Sequence, residues 1–275
     1  MSSIVQYNTG GWNRSSSSGP LTSSNGTPHF SSDTTEGSLL LCVCGAVCND
    51  DSVPAIAAPT GGSWVLIGGG TFPGNLGGNI AVYAISNAPS IPSSTTIEFT
   101  ATFAEDSNAV ANWLFEIGSL TGTLDTYETG TGEYIGSEST VPSTPNLDTS
   151  ATDFIFVVSW GQESSCPAGS GYTSLSFPSG LFGLNAQYIL SQPSGSVPTS
   201  FGNPSHGIDY FYWNCVACAF NVLPPSLNFV QNGPPLQIPY ELVAYQGATL
   251  TGSYAYSCGP PIIRGLYQTP ISTHT

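Results

Sequence analysis

The sequence predicts an all-β protein built as an antiparallel sandwich of two packed sheets. Short apolar runs rich in β-branched and aromatic residues recur along the chain, separated by Gly, Pro and Ser. The clearest run, residues 154–160, is apolar at almost every position, which is typical of a strand covered on both faces. Because 40% of the chain is hydrophobic and only 7% is charged, the composition excludes intrinsic disorder.

The other elements follow from composition and punctuation. Residues 1–30 are rich in Ser, Gly, Asn and Thr and predict an extended N-terminal arm, lying on its own body or on a neighbouring copy. Residues 106–111 tolerate a helix of one turn at most. The polar stretch 118–146 predicts a long loop that contacts a partner. The predicted core strands are 38–44, 63–68, 79–85, 95–103, 112–117, 154–160 and 210–216, with short strands around Leu175 and Gln187.

The sandwich is predicted to occupy residues 31–222. Two successive prolines, Pro224 and Pro225, cannot continue a central strand. The remaining residues, 223–275, are too few and too often interrupted by proline to build a core of their own. They predict a strand-bearing C-terminal extension that packs on the sandwich or on a neighbouring subunit.

The charge balance restricts the partners. Lys and Arg together number 2, Arg14 and Arg264, against 17 Asp and Glu, for a formal net charge of -15. Nucleic-acid binding depends on cations set against phosphates, so the sequence excludes it. An anionic membrane surface is disfavoured for the same reason. The start of the chain has no signal-peptide pattern, and no apolar run is long enough to span a membrane.

Seven cysteines raise the question of disulfides or a metal. On a strand, Cys42 and Cys44 share one face, whereas Cys215 and Cys218 fall on opposite faces. This geometry favours buried free thiols that act as small core side chains, with a disulfide second and a zinc site last.

No cofactor is expected from the sequence, and Ca²⁺ is the one alternative considered. Residues 49–51, or Asp125 with Glu128, offer the oxygen ligands that Ca²⁺ accepts. Neither group matches a calcium-loop pattern, and both are interpreted as solvated acidic tips.

No catalytic arrangement stands out. A hydrolase needs paired carboxylates, and chance placement at strand ends explains the carboxylates found on or beside strands better than catalysis does. The histidines lie in loops or at the terminus without a Ser-His-Asp order. The residues weighed are Glu98, Glu116, Asp153, Glu163, His29, His206 and His274.

Aromatic residues in polar contexts are the candidate contact residues for a partner or a glycan. Exposed aromatic rings serve equally as sugar platforms and as interface anchors. The candidates are Trp12, Tyr127, Tyr134 and Tyr172, whereas Trp64, Trp113, Trp160 and Trp213 lie inside strand runs and are predicted core residues.

The order of elements resembles the jelly-roll domains of tailed-bacteriophage virion proteins, among them minor tail proteins, fibre modules and capsid decoration proteins. The resemblance covers residues 31–221 and lies in the succession of the strands at 37–41, 62–67, 80–85, 99–103 and 113–119, followed by a late aromatic strand. It implies a jelly-roll β-sandwich in a virion and carries over no catalytic residues.

The expected function is therefore that of a non-enzymatic virion structural protein on the outer surface of a phage particle. The specific expectation is a homotrimeric capsid decoration (cement) protein, made in the host cytoplasm without a signal peptide, that binds the major capsid protein or other virion proteins. The alternatives are a tail or fibre adhesin that presents residues 118–146 to a host-surface glycan, and a carbohydrate-active hydrolase.

Overall fold

The computed structural model describes two compact units, Met1–Pro225 and Ser226–Thr275. In the first unit the described residues are 3–48, 53–72, 77–104, 108–118, 120, 122–135, 141–161, 166–175, 183–203 and 210–222. In the second unit they are confined to short strands. These residues form strands and turns without a helix, so the prediction of an all-β protein is confirmed. Among them there is accordingly no helix that could span a membrane.

The first unit contains two large antiparallel sheets and two small ones. Its strands are β1 (Ser3–Asn8), β2 (Gly11–Ser15), β3 (Gly19–Thr22), β4 (Asn25–Gly26), β5 (Leu39–Val47), β6 (Ala55–Ile56), β7 (Val65–Thr71), β8 (Gly78–Ile85), β9 (Thr100–Phe103), β10 (Asn108–Gly118), β11 (Leu124–Ile135), β12 (Leu147–Thr149), β13 (Asp153–Gly161), β14 (Thr173–Leu175), β15 (Gly183–Gln192), β16 (Gly195–Val197) and β17 (Tyr210–Asn221). The seven-stranded sheet has the order β4-β2-β10-β5-β8-β7, with β1 also paired to β10. The five-stranded sheet has the order β11-β17-β13-β15-β14. A three-stranded sheet, β3-β9-β6, and a pair, β12-β16, complete the unit.

The central strands of each large sheet are buried on both faces. One core cluster contains side chains of β5, β8 and β10 together with those of β13 and β17, so the two large sheets pack on each other. The opposite face of the seven-stranded sheet packs against β9 and the loops around Phe30, Trp64 and Ile97. The opposite face of the five-stranded sheet packs against Leu147, Val197 and Phe201. This arrangement explains the continuous apolar runs, because no face of β5 or β13 meets water.

Two sequence expectations are wrong. Residues 108–111 do not form a helical turn; they begin β10 and pair with β2 on one side and β5 on the other. Within the polar stretch 118–146, residues 124–135 are not loop but strand β11, which pairs with β17 along its length. In both cases backbone pairing outweighs the weak local signal of the side chains.

The N-terminal segment is part of the main sheet. β1 and β2 both pair with β10, so residues 3–15 lie on their own body. A fully buried carboxylate, Glu116 of β10, fastens β1. It accepts hydrogen bonds from Gln6 Nε2 at 2.6 Å, from the Thr35 backbone N–H at 2.7 Å and from Ser38 Oγ at 3.0 Å.

The second unit contains four short strands, β18 (Ala244–Tyr245), β19 (Ala248–Gly252), β20 (Ala255–Cys258) and β21 (Ile262–Ile263), in its described residues. β18 pairs with β21 and β19 pairs with β20, both antiparallel.

Candidate functional site

Two edge strands, one from each large sheet, lie side by side and form the main candidate surface. Strand β7 ends the seven-stranded sheet and β11 ends the five-stranded sheet. Side chains of the five-stranded sheet reach across to the backbone of β7. Asn214 Nδ2 donates to the Gly70 carbonyl at 2.9 Å, and Thr131 Oγ1 donates to the Thr71 carbonyl at 2.8 Å. These bonds cover backbone acceptors that would otherwise leave an open sheet edge.

The glycine run in β7 allows this close approach. A Cβ on Gly68 would lie 2.8 Å from Cδ2 of Tyr127, and one on Gly69 would lie 2.6 Å from the Ile80 carbonyl oxygen. The Tyr127 ring therefore rests directly on the backbone of β7. The glycines of β7 therefore have a packing role.

The N-terminal half of β7 leaves apolar side chains in solvent. Val65 is 63% exposed and Leu66 is 56% exposed, and Tyr127 on the neighbouring strand is 47% exposed. We call the segments of β7 and β11 that carry Val65, Leu66, Gly68, Tyr127 and Thr129 the β7–β11 edge. Val65 and Leu66 are successive strand residues, so their side chains point to opposite sides. Exposed apolar groups on neighbouring edge strands are candidate contact residues.

The predicted contact aromatics have different environments. Tyr127 lies on the β7–β11 edge. Trp12 is on strand β2, half-buried and packed against the main core. Tyr172 is half-buried, and its hydroxyl donates to the Pro198 carbonyl at 2.9 Å. The side chain of Tyr134 lies outside the described residues. Of the three that can be placed, Tyr127 presents the most ring surface to a partner.

The tryptophans predicted to be core residues are confirmed as such. Trp64, Trp113, Trp160 and Trp213 are all buried. Trp160 lies over Gly45, where an added Cβ would meet the indole ring at 3.1 Å.

The carboxylates weighed for hydrolysis do not gather into one site. Glu116 is wholly buried in the hydrogen-bond network that fastens β1, so it contacts no solvent. Glu98 is half-buried beside the three-stranded sheet, and its backbone N–H donates to the Thr60 hydroxyl. Glu163 lies outside the described residues.

The side chain of Asp153 faces that of Asp125. From the sequence alone, Asp125 is instead paired with Glu128, as candidate Ca²⁺ ligands. A β-bulge in the pairing of β11 with β17 falls at Asp125, and another in the pairing of β13 with β15 falls just after Asp153. Ser150 anchors Asp125: its backbone N–H donates to Oδ2 at 2.7 Å and its hydroxyl to Oδ1 at 2.6 Å. We call Asp125 and Asp153 the carboxyl pair. Bulges often re-aim side chains in this way beside functional sites.

The two carboxyls of the pair have opposite environments. Burial, together with the facing Asp125 carboxyl, raises the pKa of Asp153 to about 7. The two hydrogen bonds from Ser150 lower the pKa of Asp125. Neither oxygen of Asp153 receives a hydrogen bond from an N–H or hydroxyl group of the described chain, although the side chain is fully buried. No spacing rule would have found this pair, because the residues belong to different strands.

The cysteines occupy the faces that the strand pattern predicted. Cys42 and Cys44 lie together, with their Sγ atoms 3.7 Å apart, in the core outside the seven-stranded sheet. Cys218 belongs to the core between the large sheets and Cys215 to the opposite face, so that prediction is confirmed. Burial raises the thiol pKa of Cys44, Cys215 and Cys218, which disfavours the reactive thiolate.

The remaining candidates add little. Nδ1 of His29 lies 2.8 Å from the Phe30 carbonyl oxygen, whereas His206, His274 and residues 49–51 lie outside the described residues. In the described ranges there is no group of three or more His, Cys, Asp or Glu side chains that could hold a metal ion.

Comparison of the chain with protein-family models, with curated proteins and with solved structures finds no match. The resemblance to phage jelly-roll domains therefore stays a prediction. Function has to be inferred from the geometry.

Proposed function

We propose that this chain is a non-enzymatic structural protein of a bacteriophage particle, and specifically a capsid decoration protein with a jelly-roll sandwich. It would bind the major capsid protein on the outer surface of the shell. The all-β fold, with large antiparallel sheets joined by connections that pass between layers, supports a jelly-roll arrangement.

The observation that carries the proposal is the exposed apolar side chains of the β7–β11 edge, on a chain in which only 7% of the residues are charged. Val65, Leu66 and Tyr127 are about half or more exposed, and none is charged. Tyrosine is enriched at the centres of protein interfaces, where a rigid ring loses little entropy on binding. A surface of this kind suits adhesion to a fixed neighbour better than turnover of a small substrate.

The mechanism would be stabilisation by mass action. A protein that binds the assembled lattice and not its separated subunits lowers the free energy of the assembled state. A homotrimer seated on local threefold positions of the shell is the simplest stoichiometry, because most oligomers are closed and symmetric. β1 and β2 are paired within the seven-stranded sheet of the same chain. Binding would therefore use the surface of the sandwich, and residues 3–15 would not detach to clip onto a neighbour.

The experiment is a binding assay with undecorated capsids of the virus that encodes the chain. Purified protein should co-sediment with these shells, raise their disassembly temperature and appear on the shell in low-resolution images. Leu66→Ser and Tyr127→Ser should each weaken binding at least about tenfold, as hot-spot residues do. Val53→Ser is the matched control, since Val53 is 55% exposed beside the three-stranded sheet. Protein found only on the tail, or equal binding by all variants, would contradict the proposal.

A tail or fibre adhesin is the second candidate. The specific observation is Tyr127, an exposed ring beside the exposed Thr129 on an accessible strand, a combination that sugar-binding surfaces use. Binding of the purified protein to host cells, lost on treatment of the cells with glycosidases and absent for capsids, would favour the adhesin.

A further inference from the structure

The carboxyl pair presents an unusual electrostatic problem. Asp153 is fully buried, and neither of its oxygens receives a hydrogen bond from a described N–H or hydroxyl group, so only a shared proton would bond it to Asp125. The group that faces it, the carboxyl of Asp125, is itself an acceptor, and Ser150 fixes its position. A buried carboxylate is costly unless an opposite charge or several donors compensate it. The negative charge of the carboxyl pair must therefore be compensated by a proton or by a cation.

The chain has almost no cations with which to do so. It contains no lysine, and its arginines are Arg14 and Arg264. Arg14 lies on β2 in the seven-stranded sheet, whereas the carboxyl pair belongs to the five-stranded sheet. Arg264 lies outside the described residues. Among the described residues an internal ion pair with lysine or arginine is therefore not the solution, and a proton or a metal ion from solution is left.

The donor atoms match a hard cation. Two carboxylates and the Ser150 hydroxyl supply oxygens only, the ligand type of Ca²⁺ and Mg²⁺. Ca²⁺ tolerates irregular geometry and six to eight oxygens, whereas Mg²⁺ requires a near-ideal octahedron. Asp125 is half-buried, so solvent can reach the pair from its side and water can complete the coordination shell. Two protein carboxylates are few, which predicts weak binding in the millimolar range of about 10⁻⁴ to 10⁻³ M.

We propose that Asp125 and Asp153, assisted by Ser150, form a binding site for one Ca²⁺-type divalent cation at the corner where β11 begins, β13 begins and β17 ends. The two bulges position the carboxyls for this role by turning both side chains toward each other. The cation joins the first residue of β13 to the edge strand β11, and so ties the edge of the five-stranded sheet to its centre. The site does not depend on a virion role for the protein.

The test compares the full chain with its variants by isothermal titration calorimetry and thermal unfolding at about pH 8, with CaCl₂, MgCl₂ and NaCl at matched ionic strength. The variants are Asp153→Asn, Asp125→Asn and Asp148→Asn. Asp148 is the matched control, because it is an exposed aspartate on the neighbouring strand β12. Ser150→Ala serves as a milder change should Asp153→Asn fail to fold.

Ca²⁺ at about 10 mM should raise the unfolding temperature of the wild type and of Asp148→Asn by about 2–5 °C, and Mg²⁺ should do so less. Asp153→Asn and Asp125→Asn should lose the shift, with Ca²⁺ affinity reduced at least about tenfold, and Ser150→Ala should reduce it partly. An absence of Ca²⁺ binding to the wild type would overturn the site and leave a shared proton only. A Ca²⁺ shift of equal size in Asp153→Asn or Asp125→Asn would overturn it too.

Discussion

Strands β13 and β11 flank the same strand, β17, and differ in almost everything else. β13 pairs with one side of β17 through residues 153–161, and β11 pairs with the other side through residues 124–135. Every residue of β13 is buried. β11 carries Thr, Glu and Gly at most positions and is half-exposed along most of its length.

The difference shows that two kinds of force place a strand. The apolar side chains of β13 are buried on both faces, and each fully buried aliphatic or aromatic side chain stabilises the fold by about 1.5–3 kcal/mol. β11 buries little side-chain surface and is positioned by its backbone hydrogen bonds to β17 and by a close backbone contact at Gly130. Mutations should therefore affect the two strands by different mechanisms.

The largest expected effect is a cavity in β13. Phe156 is fully buried and its ring lies edge-on to Phe115, with centroids 4.9 Å apart. Phe156→Ala should lower the free energy of unfolding by about 3–5 kcal/mol, measured by urea denaturation. Thr129→Ala on exposed β11 is the control and should change it by less than about 0.5 kcal/mol. Equal effects would show that β11 depends on its side chains as β13 does.

The next effect tests the close contacts of β11. A Cβ on Gly130 would lie 2.0 Å from the Ser143 carbonyl oxygen, so backbone must move. Gly130→Ala should destabilise the protein by about 1–3 kcal/mol. Gly70→Ala is the matched control, since its Cβ would meet Asn214 Cβ at an ordinary 3.7 Å. If both substitutions were tolerated equally in thermal unfolding, the backbone account of β11 would be wrong.

A smaller effect is expected where the two strands meet. The pKa of Asp153 is raised from 3.8 to about 7 in the folded protein. A raised pKa means that the folded state holds the proton more tightly, so this stabilisation is full below pH 3.8 and is lost as the pH rises through 7. The pKa of Asp125 is lowered, so its contribution to the free energy of unfolding has the opposite pH dependence and is lost as the pH falls.

In the presence of a chelator, the unfolding temperature of the wild type should therefore fall between about pH 4 and pH 7 more steeply than that of Asp153→Asn. Asp148→Asn should follow the wild type, because Asp148 is exposed. Parallel curves for the wild type and Asp153→Asn would mean that Asp153 is charged throughout.

The smallest expected change in stability is at Tyr127. Because its ring is 47% exposed, Tyr127→Ser should shift the free energy of unfolding by less than about 1 kcal/mol, although it lowers capsid binding if the proposed function holds. A large loss of stability in urea denaturation would assign the ring a packing role over Gly68 and remove the reason to treat it as a contact residue.

Sequence reasoning found the buried strands and missed the edge strand. Residues 154–160 and 39–44 were predictable because sheets covered on both faces require unbroken apolar runs. The signal in β11 is weaker: Thr and Tyr at 126, 127, 129, 131 and 134 favour strand, whereas Gly130 and Gly132 disfavour it. The faces of Cys42, Cys44, Cys215 and Cys218 were predictable because strand alternation is local.

The carboxyl pair and the β7–β11 edge were not predictable. Asp125 and Asp153 meet through two bulges, and no local pattern in the sequence marks where a bulge will fall. The contact of Tyr127 with Gly68 joins two sheets across residues far apart in the chain. Both features depend on pairing between distant segments.

By itself, the sequence determined that the protein is all-β and that its core strands are apolar on both faces, and its charge predicts that nucleic acid is not a partner. Hydrophobicity, alternation and charge are properties of the side chains, and they can be assessed without knowing what lies beside them. Only the tertiary structure decided that β1 and β2 join the main sheet, that β11 is a strand, and that one buried aspartate faces another. The physical reason is that backbone hydrogen bonds are available to every residue type, so their partners are chosen by the fold as a whole.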